Sequence, residues 1–138
     1  RTETAQLIIQ SSKDFGIDLN AKDNNERTAW QFACQYGQTE TVQLIIQSSK
    51  DFGIDLNAKD NGGWTAWHKA CENGQTETAE LIIQSSKEFG IDLNIRKDDG
   101  YTGFMMAYMF GFTEIVTFKC FGKTIIFSCK FYLTYLYS

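Results

Sequence analysis

The chain has 138 residues, of which 43% are hydrophobic and 22% charged, and its formal net charge is −4. An aromatic content of 14% argues against wholesale disorder, because disordered chains have low hydrophobicity and few aromatic residues. The acidic balance argues against a general nucleic-acid-binding protein, which normally carries a basic face.

A repeat of 37 residues dominates the sequence. The segment at 2–23, TETAQLIIQSSKDFGIDLNAKD, returns at 39–60 with one change and at 76–97 with five, and TEIV at 113–116 opens a further copy. A fixed period in this range is typical of arrays of small units, each of which buries its apolar face only against its neighbours. We expect the chain to be part of a longer repeat array, because it begins inside a repeat.

The repeats set the expected boundaries. The expected array at 1–116 comprises a half repeat at 1–22, full repeats at 23–59 and 60–96, and a degenerate repeat at 97–116.

The first half of the repeat at 60–96 predicts a turn and a short helix. The turn-forming run DNGGW at 60–64 should make a tight, exposed turn. Thr65 can cap the helix that follows, whose apolar residues at 67, 70 and 71 form one stripe. Gly74 should end this helix in the left-handed conformation.

The second half predicts a longer helix and an extended segment. The helix should run through Ala79 and Leu81-Ile82-Ile83 to about Lys87 and be closed by Phe89-Gly90. An extended segment at 91–94 then leads to the next turn. The whole unit is therefore turn, helix, loop, helix and loop.

Five motifs recur in register over residues 2–116. They are the boxes TAWQ at 28–31, TAWH at 65–68 and TGFM at 102–105; the small pairs Ala33-Cys34 and Ala70-Cys71; the glycines Gly37, Gly74 and Gly111, each followed three residues later by Glu; the runs LII at 44–46 and 81–83; and the segments GIDLNA at 16–21 and 53–58, with GIDLNI at 90–95. With these motifs the unit resembles the ankyrin repeat. The resemblance implies an all-α solenoid of stacked helix-turn-helix units joined by β-hairpin-type loops. It also implies structural roles for Thr28, Thr65, His68, Gly37, Gly74, Gly111, Asn57 and Asn94.

Three features depart from the usual ankyrin pattern. The chain has no proline, so the box lacks its Pro, and the period exceeds the usual 33 residues by four. The extra residues, around 48–51, should lengthen the second helix by about one turn or enlarge the loop after it. Trp30 and Trp67 take the leucine position of the box and should widen the spacing or fill space left by the alanines before them.

The degenerate repeat carries a further departure. Tyr108 takes the small position that Cys71 holds one period earlier. A large residue in a close-packed position costs about 1–3 kcal/mol unless its neighbours adapt.

No pattern predicts a catalytic residue, a cofactor or a metal site. Cys34 and Cys71 fill equivalent positions of adjacent repeats and should be buried and unbridged, which indicates a reducing, intracellular compartment (cytoplasmic or nuclear). His68, the only histidine, should tie its box to a neighbouring turn rather than serve catalysis. The run FGKT at 121–124 lacks the first glycine of a phosphate loop, since Thr117 stands there.

The aromatic-rich tail at 117–138 leaves the repeat pattern in mid-helix. It is either an irregular cap, non-native text from a frame error or retained intron, or a membrane-anchoring segment. Lysines at 119, 123 and 130 interrupt it, and its apolar run is shorter than the ~20 residues that a spanning helix needs, which argues against membrane association.

A comparison of the two full repeats indicates where a protein partner would bind. The turn and first helix at 23–36 differ from 60–73 at seven of 14 positions, whereas 37–57 differs from 74–94 at three of 21. Either these positions drifted where packing tolerates change, or they were tuned to a ligand. In ankyrin-like arrays the turn tips and first helices line the concave binding side. The expected contact residues are Arg27, Phe32, Tyr36, Trp64, Lys69, Glu72 and Tyr101.

The predicted function is therefore a non-catalytic protein-interaction module or scaffold. Two alternatives stay open: a regulatory ankyrin segment of a larger enzyme, channel or receptor, and a purely structural spacer. The identity of the protein partner does not follow from the sequence.

Overall fold

The computed structural model describes residues 2–117, which form seven α-helices and no β-strand. The helices are α1 (Thr2–Phe15), α2 (Ala29–Gln35), α3 (Thr39–Phe52), α4 (Ala66–Glu72), α5 (Thr76–Phe89), α6 (Gly103–Met109) and α7 (Thr113–Thr117). This confirms the predicted all-α fold class. The alternatives for the aromatic tail concern residues that, from 118 onward, lie outside the described part of the chain.

The helices form two layers. The short helices α2, α4 and α6 pack on one another in chain order, and the long helices α1, α3 and α5 form a second row. Each short helix also packs on the helix that follows it in the chain, so every unit spans both layers. The result is the stack that the repeat predicts, in which each unit contacts chiefly its neighbours.

The long helices contain the extra residues of the 37-residue period. Helices α3 and α5 have 14 residues each and end at Gly53 and Gly90, whose φ angles of 64° and 69° are left-handed. The four extra residues therefore lengthen the second helix and do not enlarge the loop after it. The apolar runs of α3 and α5 face the core, where Ile46 and Ile83 are almost fully buried.

The short helices begin with a capping box. The hydroxyl of Thr28 accepts the backbone N–H of Gln31, whose side chain in turn accepts the backbone N–H of Thr28. Thr65 and His68 make the same reciprocal pair at the start of α4. These bonds satisfy two of the N–H groups that a helix start leaves without partners, so helices of seven residues are fixed at their first turn.

The turns between units are hairpin-like and touch each other. The backbone N–H of Asp60 donates to the carbonyl of Trp64 at 2.9 Å, closing one tip, and residues 23–27 and 97–101 close in the same way. Adjacent tips are joined where Asn61 donates to the carbonyl of Asn25, at 3.2 Å. Backbone hydrogen bonds thus hold the tips of successive units in register.

Two tryptophans form the centre of the short-helix layer. Trp30 and Trp67 are 1% and 2% exposed, and the indole N–H of Trp30 donates to the carbonyl of Leu56 at 3.0 Å. The ring of Trp67 lies on Gly103 of the next unit and meets Phe104 edge-on, with centroids 5.0 Å apart. The ring of Trp67 therefore fills space in the following unit, where Gly103 has no side chain.

The prediction that Cys34 and Cys71 are buried is confirmed. Cys34 and Cys71 are fully buried thiols and are not bridged to each other. Burial raises the pKa of the Cys34 thiol well above its ordinary value, because the interior disfavours the thiolate. Cys34 is therefore a packing residue and not a nucleophile.

Tyr108 does not occupy a buried position, which corrects the prediction from its register. It is 50% exposed, although Cys71 at the equivalent position is fully buried. Because the ring lies at the surface of α6, the expected penalty for a large residue in a close-packed position does not arise.

Within residues 2–117, no helix has the length and apolar character needed to cross a membrane.

Candidate partner-binding face

Asparagine side chains link the loops of successive units. The amide of Asn57 donates to the carbonyl of Gly90 at 2.8 Å and accepts the backbone N–H of Asp92 at 2.8 Å. Asn20 makes the same two bonds to Gly53 and Asp55, one period earlier. Asn94 is exposed, and its side chain bonds to no other unit among the described residues. These bonds fix the spacing between neighbouring units.

A second link runs through the box residue of each short helix. The side-chain N–H of Gln31 donates to the carbonyls of Ala58 and Trp64, at 2.8 and 3.0 Å. His68, in the equivalent position, lies 3.0 Å from the carbonyl of Tyr101. The predicted tie between His68 and a neighbouring turn is therefore present.

His68 is held as a neutral ring. Thr65 donates its N–H to Nδ1, so the proton stays on Nε2 and is donated to Tyr101. Burial, together with the charge of nearby Lys97, lowers the pKa of His68 to about 4, although the carbonyls of Tyr101 and Ile95 and the carboxylate of Asp99 oppose this. The ring is thus uncharged at neutral pH and holds the tip at Tyr101 in place.

On this frame lie the seven residues that the sequence singled out, which we call the tip face. The tip face consists of Arg27, Phe32, Tyr36, Trp64, Lys69, Glu72 and Tyr101. Its residues lie on three consecutive tips and on the short helices that follow the first two. Tyr36 and Glu72 are exposed and the other five are partly buried, so the face combines free side chains with supported ones.

Three residues of the tip face form a column. The guanidinium of Arg27 lies 4.8 Å from the centroid of the Phe32 ring, which stacks on Tyr36 with centroids 6.4 Å apart and planes 5° from parallel. Arg27 is held from the other side by Asp23, whose carboxylate accepts Nε at 2.8 Å. The carboxylate of Asp23 accepts hydrogen bonds from the backbone N–H and the side chain of Arg27, and from the backbone N–H of Asn25. These bonds favour the ionised form and lower the pKa of Asp23. The outer end of the column is Tyr36, which is 60% exposed.

A second cluster surrounds Trp64. The ammonium groups of Lys69 and Lys97 lie 4.7 and 4.6 Å from its ring centroid. Each lysine has its own acid: Lys69 pairs with Asp60 at 2.9 Å, and Lys97 pairs with Asp99. Trp64 thus contacts two cations, each of which is already paired with an acidic side chain.

The acids of this cluster are ionised over a wide pH range. Desolvation would raise the pKa of Asp60, but bonds from Lys69 and from the backbone of Trp64 and Gly62 outweigh it, so the pKa is lowered. The hydrogen bond from Lys97 likewise lowers the pKa of Asp99. The Lys69 side chain is only 14% exposed, and its charge is largely neutralised by the ion pair with Asp60. Glu72 is therefore the charged residue of the tip face that is exposed to solvent.

The structure adds residues that the sequence comparison missed. Lys97 supports both Trp64 and Tyr101, lying 5.5 Å from the centroid of the latter ring. Phe110, which is 54% exposed, stands one period after Asn73 at the end of a short helix. The repeat register relates Phe110 to Tyr36 and Asn73, so the sequence does carry a signal for this position. Nothing in the sequence marks Lys97.

Burial separates the variable positions of the repeat into two groups. Among the seven pairs that differ between 23–36 and 60–73, only Gln31 and His68 are both buried, and both bind neighbouring turns. The other six pairs include at least one residue that reaches solvent. Variation therefore follows exposure, apart from one pair whose members serve the same structural role.

Among residues 2–117, no group of histidine, cysteine and acidic side chains is arranged to hold a metal ion.

Comparison with known proteins agrees with the repeat architecture. A family model for ankyrin repeats matches residues 1–97 with three copies, and no curated protein matches the chain. Ankyrin repeats generally mediate protein–protein interactions. The chain belongs to the ankyrin repeat family.

Proposed function

We propose that this chain is a non-catalytic interaction module that binds a protein partner on the tip face. The observation that carries the proposal is the distribution of change between the two full repeats. Positions that hold the frame are identical or functionally equivalent, whereas Arg27, Phe32 and Tyr36 become Trp64, Lys69 and Asn73 on the same backbone. A constant frame with changing surface residues is the arrangement that a recognition surface needs.

The contacts around these residues favour binding because they order the side chains in advance. Arg27 is held by Asp23 and Phe32, and Trp64 is held by Lys69 and Lys97. Side chains that are already fixed lose little conformational entropy when a partner binds. Aromatic residues and arginine also supply much of the binding energy at protein interfaces.

The charges of the face indicate what kind of partner it fits. Arg27, Lys69 and Lys97 each have an acidic neighbour in ion-pair contact, at Asp23, Asp60 and Asp99. A partner gains little by presenting acids to cations that are already neutralised, so we expect recognition to rest on aromatic and apolar contacts. Binding should consequently depend only weakly on salt concentration.

Alanine substitutions test this proposal. Tyr36→Ala and Trp64→Ala should each weaken binding of a partner isolated with the wild-type chain, whereas Gln47→Ala and Gln84→Ala should not. Both glutamines are exposed on the long helices, so they are matched surface controls. Loss of about 1 kcal/mol or more of binding free energy is expected at an anchor. Equal effects at all four positions would refute binding at the tip face.

A further inference from the structure

Glu72 differs from the other charged residues of the tip face in its surroundings. The two basic residues of the face, Arg27 and Lys69, are each paired with an aspartate. Within residues 2–117, no basic group lies in ion-pair contact with Glu72, whose side chain is exposed to solvent. The tip face therefore offers one unpaired charge to a partner, and that charge is negative.

The segments that carry the tips and short helices have an excess of acidic residues. Each of the segments 23–36, 60–73 and 97–110 contains one more acidic than basic residue, so three of the four net negative charges of the chain lie there. Asp98, on the third tip, is exposed as well. A surface of this kind attracts cationic groups of a partner and disfavours acidic ones.

The position of Glu72 in its helix indicates a role in binding rather than in folding. Glu72 is the last residue of α4, where the helix dipole disfavours a carboxylate. The equivalent residues at the ends of α2 and α6 are Gln35 and Met109, which are both uncharged. Since the position accepts neutral side chains, the stack does not require an acid there.

Exposed aromatic residues lie on the units before and after Glu72. The residue that follows each short helix is Tyr36, Asn73 or Phe110, and the two aromatic members of this set are 60% and 54% exposed. Asn73 is exposed too, although it has a unit on either side. Exposure at this position therefore follows from the register and not from an end of the stack.

The ends of the three short helices lie close together. The side-chain amide of Gln75 donates to the carbonyl of Gln35 at 2.9 Å, which connects the ends of α4 and α2. The ring of Phe112, at the position equivalent to Gln75, lies against Gly74 and connects the ends of α6 and α4. Because adjacent helices pack about 8–10 Å apart, the exposed tyrosine, glutamate and phenylalanine follow one another at about this spacing.

We propose that the partner presents a basic side chain to Glu72, flanked by two apolar or aromatic side chains that contact Tyr36 and Phe110. This inference rests on the proposed function, because it names the chemistry that the tip face selects. The carboxylate forms an ion pair with the partner's cation, and the two rings shield the pair from water. Only one ion pair forms, which agrees with the weak salt dependence expected for this face.

Selection from a library of random peptides displayed on phage tests this chemistry, with the full 138-residue chain as bait. We expect the selected peptides to carry a basic residue with apolar or aromatic residues on both sides. These peptides should bind the Glu72→Lys chain at least about tenfold more weakly, because like charges then meet. A parallel selection on Glu72→Lys should enrich acidic residues in place of basic ones.

Glu88→Lys is the matched control for the change in net charge. Glu88 is exposed on α5, one of the long helices, so binding should stay within about twofold of the wild type. Glu72→Gln separates binding from folding. It should weaken peptide binding but leave the midpoint of urea unfolding unchanged or raised, because it removes an acid from the end of a helix. Thermal unfolding verifies that each variant remains folded.

Two results would overturn this inference and leave the proposed function in place. They are selected peptides without an excess of basic residues, and equal binding of the peptides to the Glu72→Lys and wild-type chains, in each case with binding that Tyr36→Ala weakens. Binding that neither Tyr36→Ala nor Glu72→Lys changes would overturn both proposals, since the peptides would then occupy another surface.

Discussion

Gln31 and His68 stand one 37-residue period apart and make equivalent connections. Each accepts the N–H of its own cap threonine and bonds through its terminal nitrogen to the next turn: Gln31 to the carbonyl of Trp64 and His68 to that of Tyr101. An amide and a neutral imidazole therefore serve the same position. They differ in one respect, since only the imidazole can take up a proton.

The protein should lose stability as pH falls from about 6.5 to about 4. Folding lowers the pKa of His68 from 6.5 to about 4, so in this range the unfolded chain binds the proton more readily than the folded one. Stability from the neutral ring is fully present above pH 6.5 and is lost towards pH 4, amounting to about 3 kcal/mol. Denaturant unfolding at a series of pH values measures it.

His68→Gln isolates this contribution, because Gln31 shows that the position accepts an amide. The variant should fold, and its free energy of unfolding should fall less steeply between pH 6.5 and 4 than that of the wild type. The difference between the two curves reports the titration of His68, including its electrostatic coupling to Asp99. Parallel curves would contradict the assignment.

Asn57→Ala should destabilise the array by about 1–2 kcal/mol, since it removes two hydrogen bonds of 2.8 Å between units and both bonds are partly open to water. Asn94→Ala is the matched control in the same motif. Its side chain is exposed and joins no other unit among residues 2–117, so the change should stay within about 0.5 kcal/mol. Urea unfolding compares the two, and equal losses would refute the bridging role of Asn57.

Gly103→Ala should destabilise the protein by about 1–3 kcal/mol, although alanine is the better helix former. A Cβ atom there would lie 2.6 Å from Cδ1 of Trp67, whose buried ring has little room to move. In a Trp67→Phe background, the penalty of Gly103→Ala should shrink, and thermal unfolding of the four proteins in the cycle measures this coupling. A stabilising effect of Gly103→Ala in the wild-type background would contradict the contact.

The opposite change at the equivalent position is the control. Ala66 stands one period before Gly103 and is fully buried, so Ala66→Gly should also destabilise the protein. Opposite substitutions would then be unfavourable at equivalent positions, because the surroundings of the two tryptophans differ. The indole N–H of Trp30 donates to Leu56, whereas that of Trp67 has no hydrogen-bond partner among residues 2–117.

Several features of this fold could be predicted from the sequence because they depend on local patterns. The caps at Thr28 and Thr65, the left-handed Gly74 and the apolar stripe around Trp67 each follow from a few neighbouring residues. The partners of the side chains could not be predicted in this way. Lys97 contacts Trp64 although α4 and α5 lie between them in the chain, and no local pattern brings these two residues together.

Exposure was the least predictable property. Register alone placed Tyr108 in a buried position, and it lies at the surface instead. Lys69 pairs with Asp60 within the same unit, and no local pattern predicts this pairing. Both outcomes depend on which side chains converge from different elements of the stack.

The sequence by itself determined the period, the order of turn and helices, and membership of the stack. Those properties follow from capping, glycine conformation and apolar spacing, which act within one unit and are copied with every repeat. Only the tertiary structure decided which of the copied positions reach solvent. The same isoleucine of the repeat is buried at Ile45 and exposed at Ile8. Burial depends on whether a neighbouring helix covers the residue and not on the residue itself.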